Sequence, residues 1–454
     1  MSWKQNLLRA RSYIAVMIGF LIAFYVVLQV ESHIEPTRYV PNHLTLSNDF
    51  PLLPPPRQLT FNEAIWARIA WQYFVNNLQP NGLLNAVDNQ PYSTMWDTGN
   101  YLMAMISAER LGIISRTELN HRLQTQLKTL ALLPLTDGKL PAVYYHSQYL
   151  TPQHSLDHNP RQPDWSAIDL SRLMMALNMA SRLYPEHSAA IQQLTGQWQF
   201  DALFMQRESK KILSLQKPKT WRLISQANRP SYGDQLYALS SLRQTHRLAG
   251  TVLSTPQANQ RFINIDGLNI PYEGFSSIAG INRPVVSNLP LLLIGLEVGF
   301  DLDSAEMSWR IMKVQENRYN SVGDLAYLGV DYAAQIPRFI DNSNPNKPPS
   351  AIDNARRKIS ASALQLSTRS VFSEYALFGT PWNTRQLQRL ITLYEPGRGW
   401  YEGITADTQQ RSDMISATTN AAVLESLVYI SMGPLFCQNC MPTSVATPAD
   451  DQQP

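Results

Sequence analysis

The chain has 454 residues, 44% hydrophobic, 10% aromatic and 16% charged, which is enough apolar material for one large core and excludes both a disulfide-stapled miniature fold and a disordered polymer. Thirty-eight Lys and Arg face 35 Asp and Glu, for a formal charge of +3. That balance is too even for a protein that gains affinity by neutralising many phosphates, so nucleic acid is not an expected partner.

Residues 1–12 form a basic N-terminus with Lys4, Arg9 and Arg11, which should stay cytoplasmic. Tyr13 to Val30 is an 18-residue run broken only by Gly19 and Gln29, just long enough to span the hydrocarbon of a bilayer. No small-x-small cleavage site follows it, so a retained anchor is expected rather than a cleaved signal peptide. This places the rest of the chain on the far side of the membrane, as a large extracytoplasmic domain on a single span. Residues 31–59 read as a tether ending in Pro54-Pro55-Pro56, which favours an extended segment.

From Thr60 to residue 433 the pattern is helix after helix. Thr60-Phe61-Asn62-Glu63 forms a capping box for the first. Further helical periodicity lies near 97–111, 116–132, 166–183, 186–204, 234–249, 285–298, 304–317, 359–372, 383–394 and 418–432. The runs at 97–111, 166–183 and 419–432 are apolar nearly all round, whereas 116–132 and 383–394 carry a polar face. An all-round apolar helix must be enclosed and an amphipathic one must cover it, so an inner ring wrapped by an outer ring is expected.

The connections pair aromatic rings with carboxylates beside the starts of apolar helices: Tyr92, Trp96 and Asp97; Asp164, Trp165 and Asp169; Tyr232 and Asp234; Tyr272 and Glu273; Trp400, Tyr401 and Glu402. If the inner helices run parallel, these segments meet on one face. Rings suit the C–H faces of sugars, and carboxylates suit their hydroxyls. Glycoside hydrolysis also needs two carboxyls in different protonation states. Asp97, Asp169 and Asp234 sit where a helix N-terminus favours the ionised form, which fits a base or a hydroxyl-binding role. Glu273 and Glu402 lie in Tyr-Glu-Gly turns beside rings that could desolvate them, so one of these is the expected acid. Asp97, Glu273 and Glu402 are accordingly the candidate catalytic groups, and the other ring and Asp positions are candidate sugar contacts.

These residues carry a resemblance. The stretch from Phe61 through Tyr92-Ser93-Thr94-Met95-Trp96-Asp97, the helix ending Leu111-Gly112-Ile113-Ile114, and the closing Gly399-Trp400-Tyr401-Glu402-Gly403 with Thr418-Thr419-Asn420-Ala421-Ala422 resemble a bacterial envelope-associated family of unknown function grouped with the six-hairpin glycosidases. The resemblance implies an all-α (α/α)6 barrel, similar to glucoamylase-like enzymes, with a sugar-binding cleft at one end. It carries over no assigned reaction.

Two segments stand apart. Asp341 to Ser350 is rich in breakers and reads as a surface loop, and residues 434–454 form a polar tail. In that tail Cys437 and Cys440 cannot fill a zinc shell by themselves and are expected to close a small structural disulfide in an oxidising compartment. His146, His154 and His158 match no metal-ligand spacing, and no glycine-rich phosphate loop occurs at a strand-to-helix junction, so neither metal nor cofactor is expected.

The expected function is a glycoside hydrolase or transglycosylase acting on an exopolysaccharide or envelope glycan. The alternative is a silent glycan-binding accessory of polysaccharide synthesis or export. A third reading, an epimerase or lyase, would need the histidines around His154 and His158.

Overall fold

The computed structural model describes residues 17, 19–23, 25, 46–153, 164–207, 220–223, 232–242, 261–265, 267–272, 275–278, 281–284, 288–322, 331–333, 336–338, 364–405 and 410–436. Its long helices are α1 (Phe61–Asn77), α2 (Met95–Arg110), α3 (Arg116–Leu132), α4 (Ala167–Leu183), α5 (Ser188–Gly196), α6 (Tyr232–Leu242), α7 (Leu289–Val298), α8 (Leu302–Val322), α9 (Thr368–Phe378), α10 (Pro381–Leu390) and α11 (Ala417–Met432).

Six of them close a ring: α2 packs on α4, α4 on α6, α6 on α7, α7 on α9, α9 on α11, and α11 returns to α2. Their sequences are enclosed as their composition requires; every residue of α7 from Leu289 to Val298 is buried. The amphipathic helices stand outside, α1 against α11, α3 against α2, α5 against α4, α8 against α7 and α10 against α9. Between α6 and α7 the described chain forms two ribbons, 261–265 with 268–272 and 275–278 with 281–284. This is the two-layer helical ring the sequence implied.

Short strands, absent from the sequence reading, collect at one end of the ring. Strands β1 (Tyr92–Thr94), β2 (Tyr144–His146) and β3 (Pro152–Gln153) form a three-stranded sheet, and β4 (Leu364–Ser367) pairs with β5 (Gly403–Thr405). At two to four residues each they are too short to show an alternating period. Backbone hydrogen bonds tie this end together: Met95 N donates to Val143 O at 3.2 Å, Ala417 N to Ala86 O at 2.9 Å, and Thr368 N to Glu402 O at 2.9 Å. The N-termini of α2, α9 and α11 therefore share one mouth. The opposite end gathers inner-helix C-termini, where Phe436 N donates to Glu297 O at 2.8 Å and Arg57 N to Ile430 O at 2.8 Å.

The stretch read as a tether is docked on the barrel over its described part. Ser47 N donates to Glu306 at 2.8 Å, Trp309 Nε1 to Asp49 at 3.1 Å, and the Phe50 ring meets Trp309 and Phe378 edge-on. The packed domain thus starts before Thr60, because Phe50 and Leu53 supply apolar contacts that a Pro-rich composition conceals.

Of the expected anchor, residues 17, 19–23 and 25 are helical, with Met17, Phe20, Leu21, Ile22 and Tyr25 exposed. Among the described residues no helix is long and apolar enough to cross a membrane.

Candidate active site

Three inner helices present an aspartate at the same place. Thr94 caps α2, and its hydroxyl donates to Asp97 Oδ2 at 2.6 Å while accepting from Asp97 N at 2.9 Å. Ser166 caps α4 and accepts from Asp169 N at 3.3 Å. Asp234 lies third in α6, which opens at Tyr232. In α2 and α4 the caps are the hydroxyl residues, so the aspartates stand at the third helical position with side chains available for other work.

Asp97 is fully buried and surrounded by donors, receiving Thr418 Oγ1 at 3.2 Å and Asn100 Nδ2 at 3.3 Å besides Thr94. Glu402 is also buried. It accepts Arg369 Nη1 at 2.7 Å, Thr419 Oγ1 at 2.7 Å and the Ser416 hydroxyl. The sequence placed Glu402, like Glu273, away from helix starts and beside desolvating rings, as one of two candidate acids. Instead it lies between the N-termini of α9 and α11, and an arginine and two hydroxyls give it the donor set of a carboxylate anion. Gly403 permits this turn: it has φ +147°, and a Cβ there would overlap the Leu366 carbonyl.

The carboxyl suited to hold a proton is Asp169. It is 1% exposed, and neither oxygen reaches a well-formed hydrogen bond among the described residues. Burial pushes it up to about 7 and nearby Asp234 pushes the same way, against the Ser166 hydroxyl and the amides of Trp96 and Asp169. The helix N-terminus was expected to keep Asp169 ionised. Loss of solvent outweighs that partial charge. Asp97 and Asp169 both raise the buried Tyr144 phenol, after the larger effect of its burial.

The rings divide. Tyr92 belongs to a small buried cluster with Ala86, Val143 and Tyr144. Trp96 lies 6.1 Å from the Tyr237 ring and 5.7 Å from the Arg172 guanidinium, and Trp165 is buried beside α4. Trp400 is core rather than cleft lining: it is fully buried against Phe372 at 4.9 Å and Tyr394 at 5.0 Å, and its Nε1 donates to Trp66 O at 3.2 Å. Tyr401 donates to Glu395 at 2.8 Å beneath the Arg411 guanidinium. Asp164 is half-buried at the mouth, where its carbonyl accepts Val143 N at 2.8 Å.

Glu273, His154, His158, the 341–350 loop, Cys437 and Cys440 lie outside the described residues, as do the side chains of Tyr232 and Tyr272. His146 ends β2 and stacks near Tyr149. Among the described residues no group of His, Cys, Asp and Glu could hold a metal ion. A cavity of about 640 Å³ beside Lys139, Trp198 and Asp201 includes none of the mouth carboxylates.

Sequence reading missed two charged groups. One is Arg369. The other is a cluster in the middle of the ring, where Arg172 pairs with Glu297 and Glu425 and all three side chains are fully buried. The available signal was a charge in the middle of a largely apolar run, Arg172 in 166–183 and Glu425 in 418–432, since a charge enclosed by helices needs a partner on another helix.

The profile of the family described as protein of unknown function (DUF3131) matches residues 65–433. Solved structures share the fold at low identity. A protein described as a candidate glucoamylase from Bacteroides caccae superposes with a TM-score of 0.54 at 12% identity, covering 83% of this chain and 94% of its own. Another from Bacteroides uniformis gives 0.55 at 10% identity over 84% and 94%. An endo-β-1,2-glucanase from Chitinophaga pinensis, solved with sophorotriose and glucose, gives 0.52 at 14% identity over 84% and 94%. No curated protein matches the chain. The fold is therefore the glucoamylase-like (α/α)6 barrel.

Proposed function

From a chain that belongs to the family described as protein of unknown function (DUF3131), we propose a glycoside hydrolase or transglycosylase acting on an exopolysaccharide or envelope glycan, held at the inner membrane by residues 13–30 with its barrel in the periplasm. One observation carries the proposal. The mouth of the ring holds carboxyls in contrasting surroundings, Glu402 enclosed by the Arg369 cation and two hydroxyls, and Asp169 buried with its carboxyl raised by loss of solvent. Such divergence is how one site supplies both an acid and a base.

Asp169, protonated below about 7, delivers its proton to the glycosidic oxygen as the bond to the leaving sugar breaks. Glu402, or Asp97 beside the same mouth, accepts a proton from water or attacks the anomeric carbon. Glu273 stays a candidate from the sequence. The carboxylates are screened from solvent, so glycan entry requires local opening at the mouth. The fold of an endo-β-1,2-glucanase makes β-glucans the first substrates to test.

The burial and filled donor sets of Asp97 and Glu402 favour the second reading, a silent glycan-binding accessory of polysaccharide synthesis or export. Incubating the full chain with linear β-glucans and bacterial exopolysaccharides separates the two. Shortened products that vanish in Asp169→Asn and Glu402→Gln support the enzyme; binding without product in every chain supports the accessory. Fractionation of cells expressing the full chain and a chain lacking residues 1–45 tests the anchor, which predicts that only the full chain sediments with inner membrane.

A further inference from the structure

We infer that Asn100 is a positioning residue for Asp97, and that the charged cluster at the centre of the ring holds it in that role. The inference rests on the acid–base reading of the mouth. An arginine can only donate, so Arg172 Nε, 2.8 Å from Asn100 Oδ1, fixes which end of the amide is oxygen. The amide nitrogen must then face the other way, toward Thr418 Oγ1 at 2.9 Å and Asp97 Oδ1 at 3.3 Å. Thr418 in turn donates to the same Oδ1 at 3.2 Å while Thr94 holds Oδ2 at 2.6 Å. Both oxygens of Asp97 are thus addressed, and the carboxylate plane cannot rotate without losing a donor.

Arg172 is itself immobilised by three further helices besides its own and α2. Its Nη2 donates to Glu425 Oε1 at 2.6 Å, and its Nη1 donates to the Tyr237 hydroxyl at 3.0 Å and to Glu297. Tyr237 closes the cluster by donating to Glu297 Oε2 at 3.0 Å. Gly99 lets α4 come this near α2, because a Cβ there would stand 2.8 Å from Arg172 Cγ and 2.9 Å from its carbonyl carbon. A buried ion cluster is seldom a net source of stability, and its best-attested use is to specify one arrangement. Here the arrangement specified is the direction of an amide, and through it the lone pairs that Asp97 turns toward the mouth.

The test is a pH titration of the full chain carrying ¹³C-carboxyl aspartate, read by NMR, beside a pH–rate profile. Tyr73 of α1 and Tyr144 of β2 also feel the Asp97 charge, but burial raises both phenols and keeps them neutral over this range. Asn100→Asp keeps an acceptor for Arg172 and turns an oxygen toward Asp97 in place of the amide N–H. It should raise the Asp97 midpoint by about one pH unit or more. Thr418→Val removes one donor at constant shape and should raise the midpoint by a smaller amount. Gly99→Ala removes no polar group, yet by displacing Arg172 it should also move the midpoint, whereas a purely structural role would change only the melting temperature. In an active enzyme these variants lower kcat with KM nearly unchanged. An Asp97 midpoint that stays put in Asn100→Asp and Thr418→Val overturns the inference, whatever the activity. If the wild type cleaves no glycan, the acid–base reading fails, while moved midpoints still establish the positioning.

Discussion

Arg369 donates to Glu402 across 2.7 Å with both side chains only 1% exposed, so the two charges stand or fall together. Arg369→Leu leaves an anion buried between α9 and α11 and should cost about 3–5 kcal/mol, seen as a lower midpoint in chemical denaturation. Glu402→Gln keeps the shape and the Oε1 contacts with Ser416 and Thr419 but turns its amide donor toward Arg369, so it loses stability as well and its cleavage is compared at equal folded protein. It should lower glycan cleavage by roughly 10²–10⁴-fold while oligosaccharide affinity is largely kept. Full cleavage by Glu402→Gln would remove Glu402 from the reaction.

Asp169 gives the protein a pH dependence with a definite sign. Its carboxyl is near 3.8 when solvated and about 7 when folded, so the folded chain binds the extra proton. Its contribution is most favourable below the unfolded value and is lost as pH rises from about 4 to about 7. Glu374, buried between α9 and α7 and raised to about 8, acts in the same direction. Asp169→Asn cannot ionise, so its melting temperature should gain on the wild type as pH rises from about 4 to about 7. The alkaline limb of glycan cleavage should lie near about pH 7 in the wild type. A limb that stays there in a residually active Asp169→Asn would assign it to another group.

Trp400 packs against Phe372, Tyr394 and Trp66. Trp400→Ala should therefore behave as a cavity mutation and cost about 3–5 kcal/mol by denaturant titration. Trp400→Phe should recover most of that loss and bind oligosaccharide as the wild type does. Weaker binding in a stably folded Trp400→Phe would return Trp400 to the sugar contacts.

Gly403 follows Glu402 at φ +147°, where a Cβ would overlap the Leu366 carbonyl. Gly403→Ala must break the pairing of β4 with β5 and shift Glu402 from Arg369. A loss of stability of about 1–3 kcal/mol or more is expected, with glycan cleavage falling as well. The matched control is Gly397→Ala, where a Cβ meets open space, and it should leave both stability and cleavage close to the wild type.

The alternation of all-round apolar runs with one-faced ones was enough to specify nested helix rings, because burial follows directly from which side chains water rejects. Ring and carboxylate pairs beside the starts of apolar helices likewise marked one end of the ring, where Asp97, Asp169 and Glu402 are found. What the chain order could not supply was partnership. Arg172 is 125 positions from Glu297 and 253 from Glu425, and Arg369 is 33 from Glu402; only closure of the ring brings them within hydrogen-bond reach. The same closure changed the surroundings expected of two carboxyls, since Glu402 found an arginine and Asp169 lost its water. A carboxyl's protonation is set by the charges and solvent within a few ångströms, and those neighbours are chosen by packing rather than by adjacency along the chain.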